Sequence, residues 1–77
     1  MSERTRAAYA TFAPPHVMAK ARQAGYDDAM ANRGRAPEHD SYLGKDAYRR
    51  TESMAYNRGY ITGMQQALQD RYGNPPD

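Results

Sequence analysis

The sequence predicts a small all-α protein, a two-helix antiparallel hairpin with a short helical turn at its N-terminus. Three observations point there. The stretch "QAGYDDAM", Gln23 to Met30, is echoed by "NRGYITGM", Asn57 to Met64, with Gly-Tyr, two free positions, a small residue and Met recurring at an offset of 34 residues. Small residues recur every fourth position, as Ala21, Gly25 and Ala29 and again as Ala55, Gly59, Gly63 and Ala67. No segment shows the period-two alternation of a half-buried strand.

The elements follow in order. Residues 1–14 form an arm in which Ser2 can cap a helical turn and Glu3 suits its first turn. "APP" at 13–15 then breaks the chain, because neither Pro donates a backbone hydrogen bond. Pro15 is suited to open the next helix, which should run to about Arg33 with Gly34 as its stop. Residues 34–44, "GRAPEHDSYLG", read as a linker punctuated by Pro37 and Gly44. The second helix should start between Lys45 and Ser53, marked by Asp46 or Thr51, and end at Tyr72 before Gly73, leaving 73–77 as a tail. The repeat spacing is also that of tetratricopeptide units, but one such unit holds two helices and each phrase here marks one.

Glycine inside a helix costs about 1 kcal/mol relative to alanine, so Gly25, Gly59 and Gly63 need a reason. Ridges of small residues at four-residue spacing let two helix backbones approach closely. The phrase is then written twice because each copy supplies one side of a helix crossing with approximate two-fold symmetry. Met54, Ile61 and Leu68 form a separate heptad-like stripe.

A chain of 77 residues buries little apolar surface, and a domain this small usually needs a disulfide, a metal or a partner. Cys is absent, which excludes disulfides and thiolate sites. His16 and His39 are far apart without a ligand pattern, so neither a metal nor a cofactor is expected. No apolar run reaches the roughly 18 residues of a membrane span, and "MSERTRAAYATFA" lacks a signal peptide's apolar core, so a soluble cytoplasmic chain is expected. Catalysis is not expected. Asp27 and Asp28 are neighbours that point about 100° apart on a helix, no Ser/His/Asp or Cys/His set converges, and "GYITG" is mid-helix rather than a phosphate loop.

The same residues resemble the bacterial ribosome modulation factor family. Its first helix carries Gly-Tyr-x-x-Gly-x-x-Gly-Arg, matched by Gly25, Tyr26, Ala29, Asn32 and Arg33. Its second carries Trp-x-x-Gly-Trp-x-x-Ala-Met, matched by Tyr56, Gly59, Tyr60, Gly63 and Met64. The resemblance covers residues 18–69. Its Cys-Pro-Tyr linker is replaced by "APEHDSY", its linker is shorter by about six residues, and its basic N-terminus is replaced by "SERTRAAY". What the resemblance implies is a two-helix fold that binds the small ribosomal subunit through ribosomal RNA and holds ribosomes inactive.

Basic residues number 11 against 9 acidic, and all but Lys20 and Lys45 are Arg. Seven of the eight Phe, Tyr and Trp residues are Tyr. Arg offers a planar fork for phosphate, and Tyr a flat face for unpaired bases. Candidate RNA contacts are Arg33, Arg35, Lys45, Arg49, Arg50 and Arg58, with Tyr42, Tyr48 and Tyr56 placed to stack. In an antiparallel hairpin these gather at the linker end, while Asp27 and Asp28 sit further back. Glu38, Asp40, Asp46 and Glu52 lie in the same stretch, so a solvated mixed-charge face is the competing reading. A second functional class is a small phage- or mobile-element-type protein that binds a host protein, or another copy of itself, through Tyr, Met and Arg. Tyr9 and Phe12 would either fold back or reach that partner.

Overall fold

The computed structural model describes residues 12–73; the expected N-terminal helical turn, apart from Phe12, and most of the tail lie outside the described residues. Two helices make the fold: α1, Pro15–Met30, and α2, Ala47–Tyr72, with a 3-10 turn at Pro37–His39 between them. Among the described residues there is no strand.

The helix ends follow local chemistry. Pro14 is extended at the N-cap of α1 and Pro15 is its first residue, so the missing proline N–H is one the helix would not have used. Asp46 caps α2, its carboxylate accepting from the Arg49 N–H at 2.8 Å. Gly73, at φ 76°, ends α2 where expected. The end of α1 differs from expectation. Helix geometry stops at Met30, not Arg33, and the left-handed residue is Asn32 at φ 59°, not Gly34. Asn32 N–H bonds the Ala29 carbonyl at 3.0 Å and Arg33 N–H bonds the Asp28 carbonyl at 2.8 Å. That pair of bonds is a Schellman stop, and Asn is the residue besides Gly that tolerates it.

The small-residue crossing is present. Gly25, Ala29, Ala55, Gly59 and Gly63 are buried, while Ala21 and Ala67, at the ends of the ridges, are half-buried. A methyl added at Gly25 would overlap the Tyr56 carbonyl oxygen, and one at Gly59 the Arg22 carbonyl oxygen. Shifting the numbers by 34 turns the first contact into the second, so the repeated phrase is a repeated environment. At Gly63 a methyl would lie 2.7 Å from the Tyr26 carbonyl oxygen and 2.9 Å from Ala29 Cβ.

The direction of the pair corrects the antiparallel expectation. Ala13 N–H bonds Thr51 Oγ1 at 2.9 Å, Gly59 meets Arg22, and Gly63 meets Ala29. Numbers rise together along both helices, so α1 and α2 run in the same sense. Residues 31–46 must therefore travel back the length of α1, about 24 Å for a helix of 16 residues. That distance is well within an extended reach of over 3 Å per residue. The linker's path is marked by successive contacts down α2: the Arg33 carbonyl accepts from the Tyr60 hydroxyl at 2.7 Å, Ala36 N–H bonds the Tyr56 hydroxyl at 3.0 Å, and the His39 carbonyl accepts from Asn57 Nδ2 at 3.0 Å.

The side chain that Gly59→Leu would introduce has no room against the Arg22 backbone, and neither does the single methyl of Gly59→Ala. Both substitutions should destabilise the fold, Gly59→Leu by about 1–3 kcal/mol, read as a lower midpoint in chemical or thermal unfolding. Gly34→Ala, with nothing within 4 Å of the added methyl, should stay within about 0.5 kcal/mol. Equal midpoints for the Gly59 variants and the parent would refute close backbone packing.

Candidate functional site

Because the linker returns along α2, a polar network forms where the sequence suggested open loop. Tyr56 is the largest fully buried side chain, 2% exposed. Its hydroxyl donates to Asp28 Oδ2 and accepts from Ala36 N–H. Asp28 also holds Arg33, Nε to Oδ1 at 2.9 Å. The His39 ring stacks on Tyr56 with centroids 4.3 Å apart. These hydrogen bonds from Tyr56 and Arg33, in that order, hold the Asp28 carboxyl below the ordinary 3.8. Burial first, then the bond to Asp28, pushes the Tyr56 phenol above its ordinary 10.0.

Beside this lies a second cluster. His39 Nδ1 is 2.7 Å from Ser53 Oγ, Lys45 Nζ donates to the same oxygen at 2.9 Å, and Glu38 Oε1 is 3.6 Å from His39 Nε2. Lys45 also donates to the Glu38 carbonyl. His39 lies in the expected linker, where the sequence shows no convergent Ser/His set; the tertiary structure brings one together. Ser53 is 1% exposed, inside α2, so its hydroxyl is enclosed by the groups that bond it. A nucleophile has to reach its substrate; as placed, the trio fastens the linker to α2. Among the described residues no group of three His, Cys, Asp or Glu is arranged to hold a metal ion.

The nine candidate RNA contacts do not form one patch. Tyr56 is enclosed and cannot stack on a base, and the Lys45 ammonium is engaged by Ser53 and Glu38. Arg33 is paired with Asp28, whose carboxylate also accepts from Tyr56, so the two opposite charges sit together at the surface. Arg35 lies 5.2 Å over the Tyr60 ring. The same-sense helices place Arg33 and Arg35 level with Tyr60, about 15 Å along α2 from Arg49 and Arg50. Arg49 and Arg58, nine residues apart, project from opposite sides of α2. Tyr42 is 45% exposed, and its hydroxyl accepts from Asn57 Nδ2 at 3.2 Å. Tyr48 is half-buried in a groove shared with His16, Lys20 and Glu52.

Sequence reading underweighted the stripe. Met54, Ile61 and Leu68 are each close to half exposed, at 51%, 51% and 48%. Met54 and Ile61 line a groove with Met18, Tyr42, Arg22 and Arg58. The heptad spacing was visible; that the stripe would be left uncovered depended on which face α1 took. Among the described residues no helix is long and apolar enough to cross a membrane. In comparisons with family models, curated proteins and solved structures, nothing matches this chain.

Tyr56→Phe removes one hydroxyl that satisfies two partners and should cost on the order of 1–2 kcal/mol near neutral pH. A carboxyl whose pKa is depressed by folding adds stability above its unfolded value, and that stability is lost as pH falls through the folded value. For Asp28 the loss therefore runs below 3.8. Tyr56→Phe removes the largest cause of that shift, so its stability should fall less steeply in acid. Urea unfolding across that range, parent against variant, checks both the offset and the slope.

Proposed function

We propose that this chain is a ribosome-modulation-factor-like protein that binds the small ribosomal subunit through ribosomal RNA and lowers translation. The observation that carries the reading is where the matched residues fall. Gly25 and Gly59 form the helix crossing, and Tyr26 and Tyr60 follow them at its flanks. Asn32, at the position where the family pattern has Gly, takes the left-handed conformation that favours Gly. A resemblance confined to packing positions supports the fold more directly than the partner.

On this reading the RNA contact falls to the cations and aromatics left on the surface. Arg35, Arg49, Arg50 and Arg58 have no carboxylate within 4.0 Å among the described residues. With Tyr42 and Tyr48 they can meet backbone phosphates and unpaired bases at several points, as an RNA surface requires. No catalytic step is assigned: the Ser53–His39–Lys45 trio lacks access.

Neutralising about four phosphates on single-stranded RNA gives a slope near −3 for log affinity against log salt. Binding to purified small subunits should show that steepness. Changing Arg35, Arg49, Arg50 and Arg58 together to Gln should abolish retention while helicity by circular dichroism stays unchanged. Salt-independent binding, or native affinity in the quadruple variant, would remove RNA as the partner.

A further inference from the structure

We infer that the outer face of α2 docks an acidic amphipathic helix of a partner protein, on a face whose edge shares Arg50, Arg58 and Tyr42 with the proposed RNA contact. Met54, Ile61 and Leu68 are spaced seven apart and fall on one face over about 21 Å, with Met64, 46% exposed, beside them. This face is opposite Gly59 and Gly63, which pack on α1. The buried apolar residues of the fold are Ala13, Ala29, Ala55 and Tyr56, so the large aliphatic side chains of α2 lie outside it. Met18 of α1 and Tyr42 of the linker also line this face, making a groove rather than a flat stripe. Apolar anchors at helical spacing are how a groove receives a helix.

Charge selects the occupant. Arg22 and Arg58 line the groove, and no Asp or Glu does. Arg50, Arg58 and Arg71 all lie within about 80° of the stripe's centre, taking 100° per residue from Ile61. The two carboxylates of α2, Glu52 and Asp70, are nine residues before and after Ile61 and so point about 180° away. None of Arg22, Arg50, Arg58 and Arg71 has a carboxylate within 4.0 Å among the described residues. Pairing this face with a second copy would bring arginine to arginine with no carboxylate between them. An RNA strand would leave the aliphatic row without partners, because bases stack on aromatic faces. A helix with apolar anchors and flanking Asp or Glu satisfies both features.

The test is selection from a displayed library of helical peptides of about 18 residues, long enough to follow the stripe. The full chain is the bait, and its Ile61→Asp variant the counter-selection. Ile61 is half exposed and away from α1, so the variant should keep its helicity; Leu68→Asp serves if it does not. Recovered peptides should carry apolar residues at positions i, i+3 or i+4 and i+7 and be net acidic. They should bind Ile61→Asp, and separately Arg22→Glu with Arg58→Glu, at least about tenfold more weakly than the parent. Recovery of neutral or basic peptides, or of none that distinguish Ile61→Asp, would overturn the inference. So would a dimer in sedimentation equilibrium that Ile61→Asp dissolves, which gives the face to a second copy. Loss of small-subunit binding in Ile61→Asp would give it to the ribosome, and a nuclear Overhauser contact between Tyr9 and Ile61 to the chain's own first residues.

Discussion

Two helix backbones meet at Gly25 and Gly59 more closely than any residue with a side chain permits. Each glycine faces a carbonyl oxygen of the other helix, Tyr56 for Gly25 and Arg22 for Gly59. Contacts of this kind are weak singly, but they bring long stretches of backbone into dispersion range. The cost of two mid-helix glycines is offset there, and the crossing then determines which faces of α1 and α2 are covered. Much of the remaining structure follows from that choice of face.

One consequence is the linker's route. Helices in the same sense force residues 31–46 to return along the pair, and a returning backbone brings polar groups that need partners. Tyr56, Ser53 and Asn57 of α2 supply them, meeting Ala36, His39 and Lys45 in turn. Buried polar networks are costly when incomplete, and this one is nearly complete: Asn57 Oδ1 is the buried side-chain acceptor without a partner among the described residues. The network stands in for the hydrophobic core that a chain with so few buried aliphatics lacks.

A second consequence is the surface. Residues that look alike in sequence part company once the network forms. Lys45 and Tyr56 are taken up by the linker network and Arg33 pairs with Asp28, while Arg49, Arg50 and Arg58 face outward from different sides of α2. The apolar stripe stays open because α1 occupies the opposite face. A protein this small thus presents scattered cations and an arginine-edged aliphatic groove on one helix, with Arg50 and Arg58 common to both.

The sequence by itself determined the two helices, the start of α1, the stop of α2 and the crossing; it left the start of α2 open between Asp46 and Thr51 and put the stop of α1 at Gly34 rather than Asn32. Asp46, Pro15 and Gly73 act through bonds or torsions within a few residues, and the repeated Gly-Tyr phrase announces close packing because glycine has little other use inside a helix. Only the tertiary structure decided the sense of the pair. A two-fold crossing of small residues is satisfied by helices running either way, and the linker was long enough for both. That undetermined sense also hid the roles of His39, Ser53, Lys45 and Tyr56, because their contacts join residues 8 to 28 positions apart. Local pattern reports what one segment prefers; which distant segment meets it depends on where the chain turns back.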